Sequence, residues 1–143
     1  LEHDRAAERD LETAKRRLLR GDFEVLLGGV LETKGTHLLA AQVKAGDTDQ
    51  LREMADWYRD RFQSGVVVLG AVKDGKPVIV AAVTDDLIAR GLKAGDLVRE
   101  VAKVVGGGGG GRADLATAGG RNPELLSAAL DAVRGHVEAT LKD

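Results

Sequence analysis

An Asp-Gly pair, Asp74-Gly75, restricts this chain more than any other feature. It sits between two runs of apolar, mostly β-branched residues, 66–72 and 78–83. A two-residue type I′ turn needs positive φ at both central residues, and its twist matches that of the strands it joins. Lys73-Asp74-Gly75-Lys76 therefore predicts a tight antiparallel hairpin. Pro77 fits the first position of the returning strand, where a missing N–H is tolerated.

The segments around this hairpin alternate in type. Two short strands are expected at about 30–33 and 36–43, turning at Lys34-Gly35. Asp47 or Thr48 then caps a helix that carries Leu51, Met54, Ala55, Tyr58 and Phe62 on one face. After the hairpin, Asp85-Asp86 marks a return to helix, by capping and by complementing the helix dipole. A short turn over 86–90 precedes Gly91, and a second helix runs from about 94 to 105. Asn122-Pro123 reads as N-cap and first-turn proline of a last helix, with Leu126, Leu130, Val133 and Val137 on its buried side. These elements make an α+β domain over 30–143, a small β-sheet covered by helices.

Residues 3–28 read as a separate long helix, so that 1–29 forms an N-terminal segment in front of the globular part. Ala7, Leu11, Ala14, Leu18 and Val25 make a narrow stripe close to a heptad seam. Arg9, Arg16 and Arg20 project from the opposite side, with Glu12 placed to pair with Arg16. Gly21 weakens the seam and Gly28-Gly29 stops the helix. Such a stripe needs a partner, either the domain behind it or another chain.

Composition excludes several classes of function. The formal net charge is -2, so affinity for nucleic acid must come from a local patch rather than a global field. There is no cysteine, which rules out disulfides and thiolate zinc sites and fits a reducing cytosol. The histidines, His3, His37 and His136, lie far apart, and structural or surface roles suit them. No apolar run is long enough to cross a bilayer, and no signal-peptide stretch opens the chain. Because the chain begins at Leu1 rather than methionine, the natural protein is expected to be longer. Only 3% of residues are aromatic, which does not favour single-strand recognition by stacking. Trp57 lies off the apolar face of its helix and is expected to pack under the first helix.

Six consecutive glycines, 106–111, followed by 112–120, form the remaining segment, read as a glycine-rich loop. A glycine tract is either a flexible linker or a backbone cradle whose N–H groups face an anion. Its position between two helices and its continuation into Arg112, able to grip a phosphate bidentately, favour the cradle. Gly106-Gly107-Gly108-Gly109-Gly110-Gly111-Arg112-Ala113-Asp114-Leu115-Ala116-Thr117-Ala118-Gly119-Gly120 resembles the glycine-rich signature of alanyl-tRNA synthetases. Lys93-Ala94-Gly95-Asp96-Leu97, Leu51-Arg52-Glu53-Met54-Ala55-Asp56 and Val66-Val67-Val68-Leu69 extend the resemblance upstream to about residue 30. Two positions depart from the family pattern: Ala113 replaces a proline, which loosens the turn after Arg112, and Thr117 replaces a glutamine, which shortens a polar arm.

The resemblance implies a DHH-associated fold that accompanies aminoacylation and editing domains. It implies binding to the elbow of tRNA(Ala), where the D- and T-loops meet, and dimerisation through the helical segment. On this reading Gly108, Gly109, Gly110, Gly111, Arg112 and Asp114, with Arg9, Arg16 and Arg20, contact tRNA. The parent is an alanine–tRNA ligase of the cytoplasm. ATP, Mg and a zinc editing site belong to its other domains, and neither a catalytic residue nor a metal ligand is expected in this stretch. Three other readings stay open: a dimerisation module with negligible RNA binding, the tail of a free-standing alanyl-tRNA editing protein, and the substrate half of a DHH phosphoesterase. Arg112 stands where those phosphoesterases commonly have histidine, which disfavours the last.

Overall fold

The structure is a computed structural model that describes residues 2–44 and 47–141, apart from the side chains of residues 2–10, 12, 15 and 16. In chain order the elements are α1 (Glu2–Leu26), β1 (Leu31–Thr33), β2 (Thr36–Gln42), α2 (Thr48–Arg61), β3 (Gly65–Lys73), β4 (Lys76–Val83), α3 (Asp85–Ala89), α4 (Ala94–Val104), β5 (Gly108–Gly111), β6 (Leu115–Gly119), α5 (Leu126–Asp131) and α6 (Val133–Thr140). The strands form one six-stranded sheet in the order β1-β2-β3-β4-β6-β5, with only β2 and β3 parallel.

Both tight hairpins form at the dipeptides the sequence singles out. Asp74 and Gly75 adopt φ of 53° and 77°, and Lys34 and Gly35 adopt 52° and 78°, the paired positive values of a type I′ turn. The α2 start is a reciprocal capping box: Asp47 Oδ1 accepts from the Gln50 N–H at 2.8 Å, and Gln50 Oε1 accepts from the Asp47 N–H at 3.3 Å. With such caps at one end, α2 can span the parallel β2–β3 crossover without leaving its first N–H groups unpaired.

The sheet is covered on both faces. On one side α2 packs Leu51, Met54, Ala55 and Tyr58 over Leu39, Val67, Leu69, Val80 and Ala82. On the other, α4, α5 and α6 pack over Val66, Val68, Ile79, Ala81, Val83 and Ala116. Double coverage is why β3 and β4 are apolar at nearly every position instead of alternating. The Tyr58 hydroxyl donates to the His37 carbonyl at 2.7 Å, and burial pushes its pKa above the usual phenol range. Beside it, Thr84 Oγ1 accepts from the Gly65 N–H at 3.0 Å, which joins the start of β3 to the end of β4.

Three expectations are corrected. The stretch 106–120 is not a loop: it contains β5 and β6, an antiparallel pair that completes the sheet. Glycine has little intrinsic strand preference, so only tertiary pairing explains β5. The last helix is not continuous. Pro123–Leu125 is a 3-10 turn, Asn122 makes no side-chain cap, and the helix breaks at Ala132 between α5 and α6. Similarly, α3 is capped by position at Thr84, so Asp85 and Asp86 serve its first turn rather than its cap.

Helix α1 docks on the domain by a face other than its apolar stripe. Leu19 and Phe23, not the heptad stripe, hold it to the domain; Phe23 is 1% exposed. Its ring meets Trp57 edge-on at 5.5 Å, which places Trp57 under α1 as expected. The stripe faces water: Leu11, Leu18 and Val25 are 57%, 70% and 79% exposed. Ala7 lies outside the described side chains.

Candidate nucleic-acid interface

Strand β5 is the outermost strand, paired on one side to β6 and open on the other. Its glycines fall into two groups. A Cβ on Gly109 would come 2.5 Å from Ala118 Cα and Cβ, and one on Gly111 would come 2.9 Å from Ala116 Cα. One on Gly107 would overlap the Gly119 carbonyl outright. These glycines let β5 approach β6 more closely than any side chain allows. Gly106 has φ of 73° and turns the chain out of α4. Gly95 on α4 similarly faces Gly111, whose carbonyl oxygen is 3.3 Å from where its Cβ would sit.

Gly108 and Gly110 are different. A Cβ on Gly108 meets nothing within 4 Å, and one on Gly110 meets only the Arg99 guanidinium at 3.7 Å. Neither has a left-handed φ. Internal packing does not require glycine at either place, so both present bare backbone to whatever approaches the edge.

Arginines surround this strand. Arg112 follows it directly, with its side chain 75% exposed and Nε 3.5 Å from Asp114 Oδ1. The other Asp114 oxygen lies 3.5 Å from Arg59 Nη1, and Arg59 also binds Asp56 at 2.7 Å. Arg52, in the first turn and a half of α2, shares an open cavity of about 370 Å³ with Gly110, Gly111, Arg112, Leu115, Ala116 and Thr117.

Of the residues expected at the interface, Gly108, Gly109, Gly110, Gly111, Arg112 and Asp114 lie together. Arg20 lies elsewhere: its guanidinium sits 4.6 Å over the Trp57 ring and 3.9 Å from Glu24. Arg20 is exposed as expected, but its side of α1 turns towards α2 rather than towards β5. Arg9 and Arg16 lie outside the described side chains. Sequence reasoning missed Arg52 and Arg99. Both sit off the apolar faces of their helices, and only the strand order brings them to β5.

A second, larger cavity of about 570 Å³ has the opposite character. Asp56, Asp60, Asp85 and Asp86 line it with Arg59. Burial pushes the Asp86 carboxyl up, but hydroxyls of Ser64 and Thr84 and nearby backbone N–H groups outweigh this and hold it below the usual range. Asp86 therefore stays charged at neutral pH and makes this cavity hostile to phosphate. Among the described residues, no three His, Cys, Asp or Glu side chains gather to hold a metal ion, and no helix is long and apolar enough to cross a membrane.

Comparison with known proteins bears on the fold and the family. The DHHA1 domain family matches residues 35–139. An alanine–tRNA ligase of Desulforamulus reducens is 44% identical over 142 residues, 99% of this chain and 16% of that protein. One from Chromohalobacter salexigens is 48% identical over 141 residues, again 16% of its length. The chain thus spans about a sixth of these relatives. The C-Ala domain of Aquifex aeolicus alanyl-tRNA synthetase superposes with a TM-score of 0.69 at 31% identity, covering 76% of this chain and 97% of that domain. A DHH-domain member of the s1p family of ribosomal proteins has a TM-score of 0.56 at 12% identity, over 91% of this chain and 32% of that one, a likeness of fold alone. With a family match over most of its length, 44–48% identity to alanine–tRNA ligases and a domain-length superposition, the chain belongs to the DHHA1 domain family, among the C-Ala domains of alanyl-tRNA synthetases.

Proposed function

We propose that this domain binds the elbow of tRNA(Ala) through the β5 edge, as part of a cytoplasmic alanine–tRNA ligase whose aminoacylation and editing centres lie in other domains. ATP, Mg and the editing zinc belong to those domains. The observation that carries the reading is the bare edge at Gly108 and Gly110, flanked by Arg112 and the cavity it shares with Arg52. An all-backbone surface with guanidinium groups beside it suits a ligand recognised by shape and phosphate, as folded RNA is. A chain of net charge -2 must concentrate its attraction in such a place.

The test is salt-dependent binding of the domain to alanine tRNA and to a minihelix lacking the elbow. Binding to the whole tRNA alone supports the reading; equal binding, or none, refutes it. Arg112→Ala is expected to lower the log–log salt slope by about 0.9, one phosphate contact. An unchanged slope removes Arg112 from the interface.

A second role rests on a separate observation, the exposed stripe of Leu11, Leu18 and Val25 at heptad spacing. Three large aliphatic side chains in line on an otherwise charged helix suit a homodimer seam. The two roles use different surfaces and are compatible.

A further inference from the structure

Two helices, α2 and α4, each bring one arginine to strand β5. Helix α2 covers the face of the sheet that carries Val80 and Ala82, and α4 covers the face that carries Ile79, Ala81 and Ala116. Arg52 therefore reaches the strand from one face, lining a cavity with Gly110 and Gly111. Arg99, from α4, brings Nε and Nη2 to 3.7 Å from the place of a Cβ on Gly110, and because Gly110 pairs with Thr117, which pairs with Val80, that place lies on the face α2 covers. A strand with side chains would separate these two groups from anything lying along the edge. A strand of glycines does not.

Their existing partners are weak. Arg99 Nη1 is 3.4 Å from Asp96 Oδ1, an exposed pair one helical turn apart, which leaves Nε and Nη2 towards the strand. Exposed pairs of this kind contribute little to stability, so exchanging Asp96 for a phosphate costs little. Arg52 is exposed and, among the described residues, has neither a hydrogen bond nor an ion pair. Among the described residues, the exposed pair with Asp96 is the one polar partner either arginine has.

We propose that Arg52 and Arg99 form a clamp on an RNA phosphodiester backbone that crosses β5, one phosphate each, with Gly110 as the gap between them. The inference rests on the RNA-binding reading and adds two contacts from helices that the glycine signature does not contain. Guanidinium groups suit the task because their planar fork grips phosphate oxygens bidentately.

The experiment is a salt titration of tRNA binding by the wild-type chain, Arg52→Ala, Arg99→Ala, the double variant, and Arg52→Lys with Arg99→Lys. Each alanine variant is expected to lower the log–log slope by about 0.7–0.9, and the double variant by about twice as much. At ~0.1 M salt each loss corresponds to roughly fivefold to tenfold weaker binding. The lysine pair is expected to keep the wild-type slope, since charge is kept, and melting temperatures are expected to stay level throughout. Wild-type slopes in both alanine variants, alongside a reduced slope in Arg112→Ala, overturn the clamp and leave the edge as the RNA site. Failure of the wild-type chain to bind tRNA overturns both. A slope that falls in the lysine pair as far as in the alanine pair shows that shape rather than charge is lost, and also overturns the clamp.

Discussion

Two adjacent glycines of β5 are expected to respond to the same substitution with opposite signs. In Gly109→Ala the new Cβ lies 2.5 Å from Ala118 Cα and Cβ and from the Thr117 carbonyl oxygen, and ordinary contact begins at 3.4 Å. The strands must therefore separate by about 0.9 Å, and the obstacle is backbone, which has no rotamer to change. Overpacking of this kind costs about 1–3 kcal/mol. For a chain of this size that lowers the melting temperature by roughly 3–10 °C. Gly108→Ala meets nothing, at a φ open to any residue. It restricts the unfolded chain and stabilises by about 0.4–1 kcal/mol, or roughly 1–4 °C. Calorimetry of both variants reads the difference directly. Because β5 is an edge strand, Gly109→Ala can also respond by letting it peel away, and faster amide exchange in β6 then reports the loss. Equal shifts in the two variants, or a Gly108→Ala variant as destabilised as Gly109→Ala, refute the division of the tract into packing glycines and free ones.

Other outcomes follow from particular contacts. Phe23→Ala removes a fully buried ring at a cost of about 3–5 kcal/mol, more than the few other contacts of α1 can absorb. Trp57 emission is expected to shift to the red as α1 detaches, and an unchanged spectrum contradicts this. Leu11→Asp with Leu18→Asp is expected to leave the melting temperature of a dilute monomer unchanged, since both residues already face water, while abolishing any dimer seen by light scattering. A dimer of unchanged mass in the variant removes the seam. Asp86 has a folded pKa below its unfolded value of about 3.9. Its contribution to stability is therefore full above that value and disappears as pH falls through the folded pKa. The melting-temperature gap between wild type and Asp86→Asn is expected to close below about pH 4, and a gap that stays constant to pH 2.5 contradicts the assignment.

Most of the fold was legible where a local rule and the tertiary structure agree. Asp74-Gly75 and Asp47 with Gln50 needed only their neighbours to adopt their final shapes. Strand β5 was illegible for the converse reason: nothing in a run of glycines favours an extended chain, and its shape comes from β6 and α4 on either side. The docking face of α1 was not legible because the heptad stripe is the stronger periodic signal, whereas docking involves Phe23 fitting against Trp57. The candidate interface divides in the same way. Arg112 could be found because it adjoins the glycines in sequence. Arg52 and Arg99 lie about sixty and ten residues from it, on helices whose polar faces look ordinary until the sheet order is known.

The charge pattern along α2 adds a reason for the ligand to settle at one end of the domain. Arg52 belongs to the β5 cavity, whereas Asp56 and Asp60, one and two turns later, belong to the acidic one. A polyanion is therefore drawn to the first turns of α2 and repelled from its last. Between the two cavities Asp114 holds Arg112 through one oxygen and Arg59 through the other. With Arg59 compensating its charge, Asp114 can steer the Arg112 guanidinium along the strand edge without neutralising it. Arg59 in turn is held by Asp56 on the acidic side, so the positive edge and the negative cavity share one chain of ion pairs. Repulsion on one side and attraction on the other fix orientation better than attraction alone, which is how a domain of slightly negative net charge can select a single face for RNA.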